Sequence, residues 1–193
     1  MNIVDAEFIK SSSEIEGYPN LFLPEIAFYG RSNCGKSSLI NTLVNRKGLV
    51  KTGSKPGMTR LINFFLINKS FVIADMPGYG FADLPEHIRN KFQPMVDDYL
   101  TNRQTLKMLL FLLDIRRSPG LEEIDKVNKF KSMGIPYKIV ATKADKLSRS
   151  DTNKSVRFMA GILGENPQEI FTSSSKNRDG RKEILAMINR IIK

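Results

Sequence analysis

The first segment that could do chemistry sets two glycines ahead of a lysine and a serine: Gly30, Arg31, Ser32, Asn33, Cys34, Gly35, Lys36 and Ser37. Glycines let the backbone curl so that successive N–H groups face inward, and the N-terminus of a following helix adds positive potential. A lysine at this place can reach the β- and γ-phosphates of a nucleotide, and the next hydroxyl can ligate Mg²⁺. The segment therefore predicts a phosphate-binding loop, with Lys36 on the phosphates and Ser37 on the metal.

A second segment supplies a carboxylate and a glycine 39 residues after Lys36, namely Asp75, Met76, Pro77 and Gly78. It follows the apolar run 71–74, which is typical of a buried strand. A carboxylate at the carboxyl end of such a strand can act on Mg²⁺ through a bound water, and a glycine N–H can contact the γ-phosphate. We expect these roles of Asp75 and Gly78 respectively.

The loop between these two segments contains a threonine that could sense the γ-phosphate. Residues 48–60 are rich in Gly, Lys, Ser and Pro, and a hydroxyl in such a loop can complete the Mg²⁺ shell only while the γ-phosphate is present. We predict that Thr59 does this and that Lys36, Thr59 and Gly78 form the catalytic set. The predicted nucleotide contacts in this loop and directly after it are Gly57, Met58, Thr59, Arg60 and Leu61.

A third segment after another apolar run predicts which base is bound, and it consists of Thr142, Lys143, Ala144 and Asp145. The Asp145 carboxylate can accept hydrogen bonds from the imino and amino groups of guanine, whereas adenine offers no donor at either place. Lys143 can lie along the base, and Thr142 can tie this loop to the phosphate loop. The nucleotide is therefore predicted to be GTP or GDP.

A polar loop near the end of the chain could contact the guanine carbonyl. Thr172, Ser173 and Ser174 are assigned to the nucleotide site because a backbone N–H there can reach that oxygen. The sequence leaves open whether Ser173, Ser174 or Ser175 is the donor.

Strand-like and helix-like runs alternate along the chain, which is typical of a parallel sheet covered on both faces. They predict an α/β fold of the P-loop type, with three αβα layers and about six to seven mostly parallel strands. We expect residues 1–193 to form one domain, with residues 1–23 contributing an edge strand. Predicted strands are 26–29, 61–67, 71–74, 108–114, 137–141 and 170–172, and predicted helices are 36–46, 85–102, 121–133, 148–163 and 184–192.

The composition of the chain bears on its cellular compartment and on membrane association. There is one cysteine in 193 residues, and no apolar run approaches the roughly 18–20 residues of a membrane span. The chain shows no signal-peptide pattern and no lipidation motif. We expect a cytoplasmic monomer without a membrane partner.

The net charge of +10 is concentrated in one part of the chain. Residues 126–193 contain 15 Lys and Arg against 6 Asp and Glu. Such segregation favours a polyanionic partner over charge that serves solubility alone. The candidate contacts are Lys126, Lys129, Lys131, Lys146, Arg149, Lys154, Arg157, Lys176, Arg178, Arg181 and Lys182.

Read in order, GRSNCGKSSLIN, SKPGMTRLINFF, DMPGYGFA, TKADKL and TSS resemble the EngB (YihA/YsxC) family of bacterial GTPases, from about Pro24 to the end of the chain. The resemblance implies GTP hydrolysis with Mg²⁺, a role in assembly of the large ribosomal subunit through rRNA rather than DNA, and a link to septation. A P-loop kinase or ATPase would leave the Thr142–Asp145 segment unexplained. A signalling or scaffold GTPase without a ribosomal role stays open as the alternative.

Three residues near the phosphates qualify this resemblance. Asn33 matches the loop of K⁺-stimulated GTPases in related families, so it is either a K⁺ ligand or a loop hydrogen-bonding residue. Cys34 stands where a small apolar residue is usual, and packing is its favoured role over redox chemistry. Tyr79 follows Gly78 where a water-orienting glutamine stands in Ras-type enzymes, so we expect slow intrinsic turnover.

Overall fold

The computed structural model describes residues 1–50, 61–80 and 86–193, with the side chains of 86–92 left out. The described residues contain one seven-stranded sheet, in the order β1-β3-β4-β2-β5-β6-β7. The strands are β1 (Ala6–Ser12), β2 (Glu25–Gly30), β3 (Ile62–Ile67), β4 (Phe71–Asp75), β5 (Leu106–Asp114), β6 (Tyr137–Thr142) and β7 (Phe171–Thr172). The helices are α1 (Lys36–Val44), α2 (Glu86–Asn102), α3 (Leu121–Ser132), α4 (Arg149–Leu163) and α5 (Arg181–Ile191).

The centre of the sheet is parallel: β2 pairs in parallel with both β4 and β5, β5 with β6, and β6 with β7. Central strands are buried on both faces, which explains the continuous apolar run of β5. Helices α2, α3 and α4 cover one face and α1 and α5 the other. This arrangement confirms the predicted three-layer α/β fold.

The edge of the sheet is antiparallel. β3 and β4 form a hairpin whose turn residues Asn68 and Lys69 both have positive φ, as a tight hairpin turn requires. The Asn68 side chain also accepts hydrogen bonds from the backbone N–H groups of Val4 and Asp5, at 2.9 Å each. The chain before β2 is thereby fixed beside the hairpin, and β1 pairs antiparallel with β3.

The carboxyl ends of β2, β4, β5, β6 and β7 meet at one edge of the parallel region. In open α/β sheets, ligands bind at this end of the strands. The loops that follow β2, β4 and β6 carry the three segments singled out from the sequence. No helix among the described residues is long and apolar enough to cross a bilayer.

Candidate functional site: the loops at the carboxyl ends of the strands

The loop between β2 and α1 has the tight curvature that its glycines predict. Gly35 has φ +103° and immediately precedes α1, and Asn33 also has positive φ. A Cβ at Gly30 would lie 2.5 Å from the Leu112 carbonyl oxygen, so only glycine fits this close approach to β5. The first turn of α1 therefore points its free N–H groups into the loop, an arrangement suited to phosphate oxygens.

Lys36 and Asp75 meet at the floor of this loop. Lys36 is the first residue of α1, its side chain is buried, and its Nζ forms an ion pair with Asp75 Oδ1. Asp75 ends β4 and is fully buried, and its Oδ2 has no hydrogen-bond partner among the described residues. Ser37, half-buried, lies in the first turn of α1. The structure thus brings together the lysine and the carboxylate that the sequence assigned to phosphate and Mg²⁺.

The fourth residue of the loop, Cys34, is buried. Burial raises the pKa of its thiol to about 11. A thiol that stays protonated is a poor nucleophile, so the packing role fits this environment and a redox role does not.

The loop after β6 is joined to the phosphate loop by two side chains. Thr142 Oγ1 donates to the Cys34 carbonyl oxygen, and Lys143 Nζ donates to the Asn33 carbonyl oxygen at 2.6 Å. The connection between the loops that was expected from Thr142 is present, and Lys143 adds a second one.

A carboxylate that the sequence interpretation missed holds Lys143 in place. Asp114, the last residue of β5, forms ion pairs with Lys143 at 2.9 Å and with Arg116 at 2.7 Å. Burial alone would raise the pKa of Asp114, but the hydrogen bonds from Arg116 and Lys143 outweigh it and hold that pKa well below its usual range. The signal available in the sequence was a carboxylate at the end of the most apolar strand.

Asp145 is oriented by a serine from the loop after β7. Ser174 Oγ donates to Asp145 Oδ1 at 2.8 Å, and this hydrogen bond lowers the pKa of Asp145, so the carboxylate is ionised near neutral pH. The second carboxylate oxygen lies 3.5 Å from Lys146. An ionised carboxylate at this edge of the sheet can accept two hydrogen bonds from a guanine edge.

The loop after β7 also limits which backbone N–H is free. The Ser173 N–H donates to the Ala141 carbonyl oxygen at 2.8 Å, and the Ser174 N–H donates to the Asp179 carbonyl oxygen at 3.1 Å. The Ser175 N–H makes no hydrogen bond within the described part of the chain. Thr172 lies in β7, where its carbonyl leaves no room for a Cβ at Gly180.

The loop after β4 lies against the phosphate loop. Met76 and Pro77 are buried, and a Cβ at Gly78 would lie 3.2 Å from the Ser32 nitrogen. Leu61, just before β3, is exposed. Gly57, Met58, Thr59 and Arg60 lie outside the described residues, and their predicted contacts stay predictions.

Comparisons with known proteins agree with this geometry. Residues 25–143 match the family described as 50S ribosome-binding GTPase. The chain is 49% identical over 193 residues to the probable GTP-binding protein EngB of Desulforapulum autotrophicum, covering 98% of this chain and 100% of that protein. It is 45% identical to the same-named protein of Geotalea daltonii, covering 100% and 93%.

A solved structure gives the same answer. The crystal structure of a probable GTP-binding protein EngB superposes with a TM-score of 0.71 at 25% identity, covering 87% of this chain and 98% of that one. The geometry of the loops after β2 and β6 and the similarity to these relatives indicate the same class of protein. The chain belongs to the EngB family of GTP-binding proteins and is a GTP-hydrolysing P-loop enzyme.

Proposed function

We propose that this GTPase is a nucleotide-controlled switch in assembly of the large ribosomal subunit. The supporting observation is a basic, exposed surface beside the loop after β6 that carries Asp145 (the guanine loop), in a chain whose family is described as 50S ribosome-binding. GTP would favour one arrangement of the loops at the carboxyl ends of the strands, and hydrolysis would release it. We further propose one monomeric domain of residues 1–193, in which residues 1–23 extend the sheet edge.

For the phosphates, we propose that Lys36 exchanges its partner Asp75 for the β- and γ-phosphates when nucleotide binds. The buried Asp75 then needs another positive or hydrogen-bonding partner, and its unsatisfied Oδ2 already faces the same need. The Ser37 hydroxyl would ligate Mg²⁺ directly and Asp75 would act on it through a bound water, since this ion prefers oxygen ligands. Bound there, Mg²⁺ would offset the negative charge on the phosphates, while the Gly78 N–H contacts the γ-phosphate.

For the base, we propose that Asp145 recognises guanine and that the Ser175 N–H donates to its carbonyl oxygen. The geometry favours Ser175 over Ser173 and Ser174 because the N–H groups of the latter two are already hydrogen-bonded to the backbone. Ser174 would act by orienting Asp145 through its hydroxyl.

For Asn33, we retain the proposal of a K⁺ site beside the phosphates. The Asn33 side chain is exposed and its φ of +61° is one that asparagine tolerates, so the loop role has support as well. Measuring GTP turnover in KCl and in NaCl distinguishes the two roles. A K⁺ ligand requires faster turnover in KCl that disappears in Asn33→Ala, whereas equal rates in both salts leave only the loop role.

Two of the basic residues predicted from the sequence to contact rRNA form other contacts within the fold. Lys126 is buried against aromatic rings. Arg181 donates to the carbonyl oxygens of Thr42 and Leu43 at 2.8 and 2.9 Å, where it satisfies the C-terminal end of α1. We therefore leave these two residues out of the proposed rRNA surface.

Other candidates fit an rRNA surface better. Five are exposed and form no ion pair within the described ranges: Arg149, Arg157, Lys176, Arg178 and Lys182. Three of these (Lys176, Arg178 and Lys182) lie between the guanine loop and the first turn of α5, so an rRNA contact there would adjoin the nucleotide. Phosphate neutralisation by such residues makes affinity fall as salt rises.

The test is binding to salt-washed large subunits, with GDP and with a non-hydrolysable GTP analogue. Reversing Lys176, Arg178 and Lys182 to Glu should weaken subunit binding at least about tenfold, because each lost phosphate contact weakens the electrostatic term. The matched control reverses Lys47, Lys69 and Lys107, which are equally exposed but lie toward the amino ends of the strands. Equal subunit binding by the two variants would contradict the proposed rRNA surface. GTP affinity is measured in both variants to exclude damage to the nucleotide site.

Depletion in cells tests the link to septation. If the switch acts on subunit assembly first, immature large subunits should accumulate before division fails. The reverse order would favour a direct role in division, and normal subunits throughout would favour the signalling alternative.

A further inference from the structure

The backbone of Tyr79 is hydrogen-bonded to the phosphate loop. The Tyr79 N–H donates to the Gly30 carbonyl oxygen at 3.3 Å, and its carbonyl oxygen accepts from the Ser32 N–H at 2.8 Å. Tyr79 and Arg31 thus form a short parallel bridge that extends the pairing of β2 and β4. Because Gly78 directly precedes Tyr79, this bridge determines how close Gly78 lies to the phosphate loop.

The side chain of Tyr79 is held in the core between the sheet and α3. Tyr79 is 8% exposed, and the ring centroids of Tyr29 and Phe111 lie 5.3 and 6.1 Å from that of Tyr79. The Tyr79 hydroxyl donates to Glu123 Oε1 at 3.1 Å. Burial, and then the Glu123 carboxylate, raise the pKa of Tyr79 far above its ordinary value, so it remains a neutral donor.

A buried lysine of α3 covers the same ring. Lys126 Nζ lies 4.4 Å from the Tyr79 ring centroid and 5.3 Å from that of Tyr29, and it donates to Gln93 Oε1 at 3.1 Å. Lys126 is only 9% exposed, and its described carboxylate partner, Glu122, is 3.9 Å away. Burial lowers the pKa of the ammonium, so the charge is kept there at a cost that the aromatic faces partly offset.

We propose that Lys126, together with Glu123, is a positioning residue for GTP hydrolysis: by clamping Tyr79 they hold Gly78 against the phosphate loop, ready for the γ-phosphate. Lys126 contacts the face of the ring and Glu123 its hydroxyl. The inference rests on the proposed contact between the Gly78 N–H and the γ-phosphate. GDP has no γ-phosphate, so the clamp should matter for GTP and not for GDP.

A residue that only stabilises the fold would behave differently, because its loss would weaken GTP and GDP binding alike. Lys126 is the better residue to change, since Glu123 Oε2 also accepts from the Gly120 N–H at the start of α3. Replacing Glu123 would therefore disturb the helix as well as the clamp. Lys126→Met keeps the length of the side chain and removes the charge.

The experiment measures affinity for GDP and for a non-hydrolysable GTP analogue, together with single-turnover hydrolysis. In Lys126→Met we expect analogue affinity and the hydrolysis rate to fall about three- to tenfold, with GDP affinity within about twofold of the original, since one charged contact is lost. Lys126→Arg should restore most of the loss. The matched control is Lys129→Met, which removes a lysine of the same helix that pairs with Asp97 at 2.6 Å and should change none of these values.

Two further variants keep the result interpretable. Tyr79→Phe keeps the ring and loses only the hydrogen bond to Glu123, so it should show a smaller change of the same kind even if Lys126→Met does not fold. Gly78→Ala keeps the backbone N–H but places a Cβ 3.2 Å from the Ser32 nitrogen, so it tests the γ-phosphate contact by displacing that N–H. If Gly78→Ala selectively weakens the analogue while Lys126→Met and Tyr79→Phe leave the ratio of analogue to GDP affinity unchanged or raised, the clamp is wrong. If Gly78→Ala has no selective effect, the proposed contact is wrong.

Discussion

The loops after β6 and β4 both contact the phosphate loop, but they are held in place in different ways. The loop after β6 reaches it through its own motif residues, Thr142 and Lys143. The loop after β4 reaches it through the backbone of Tyr79, whose side chain is held by Glu123 and Lys126 on α3. The loop after β6 contacts the phosphate loop with its own side chains, whereas the loop after β4 depends on side chains of a helix more than 40 residues away in sequence.

This difference suits what each loop would recognise. Guanine is common to GTP and GDP, so a loop that binds it can be rigid in both states. The γ-phosphate is present only in the GTP-bound state. A loop that responds to it needs two conformations whose free energies differ only moderately. We therefore expect substitutions near Asp145 and Lys143 to lower the affinity for GTP and GDP equally. Substitutions in the loop after β4 or in the loop that contains Thr59 should lower the affinity for GTP more than that for GDP.

The largest expected effect is on base recognition. Asp145→Asn should weaken GTP and GDP binding at least about 100-fold, because the amide presents a donor to the donors of guanine. Affinity for xanthosine nucleotides should rise, since xanthine offers an acceptor at the amino position. Competition binding with GTP, XTP and ATP measures this. Equal affinity of the original protein for ATP and GTP would contradict the assignment of Asp145.

A second prediction concerns Lys143 and remains on the base side of the comparison. Lys143→Met removes the donor to the Asn33 carbonyl oxygen but leaves Asp114 paired with Arg116. GTP and GDP affinity should both fall about 10- to 30-fold, the cost of one hydrogen bond from a charged group. Equilibrium binding of both nucleotides checks the equality. A loss confined to GTP would show that the loop after β6 also senses the γ-phosphate.

A smaller and selective effect is expected from Thr59→Ala. Loss of the hydroxyl should weaken binding of a GTP analogue about tenfold at millimolar Mg²⁺ and spare GDP, since the contact exists only with the γ-phosphate. Thr52→Ala removes a threonine from the same loop and is the matched control. If Thr59→Ala weakens binding of both nucleotides alike, Thr59 is not the γ-phosphate sensor, and its loop does not belong with the loops that respond to the γ-phosphate.

The sequence predicted most of the fold because its signals are local. The run of β5, the periodic apolar residues of α3 and the glycines around Lys36 each constrain a few neighbouring residues, and the elements follow. Predicted helix ends differ by a few residues, as for α1, which stops at Val44 because Asn45 adopts a left-handed conformation.

The support of the loop after β4 could not be predicted in the same way. Lys126 belongs to a basic part of the chain and was assigned to the rRNA surface, but tertiary packing turns it into the core beside Tyr79. Arg181 was misassigned for the same reason, because its partners Thr42 and Leu43 lie about 140 residues earlier. A charge count along the chain cannot distinguish a solvated cation from a buried one.

The smallest effect is expected from Cys34, which the two loops share as a neighbour but which neither needs for chemistry. Its carbonyl oxygen, not its thiol, accepts the hydrogen bond from Thr142, so the side chain can change without breaking that link. Since burial raises the thiol pKa to about 11, alkylation at pH 8 should be far slower than that of a free cysteine, and Cys34→Ala should keep nucleotide affinity within about twofold. The chain has one cysteine, so mass spectrometry of the intact protein counts the reaction directly. A thiol that reacts as fast as free cysteine, with loss of GTP binding, would show that the phosphate loop opens and that its links to Thr142 and Lys143 do not hold it closed.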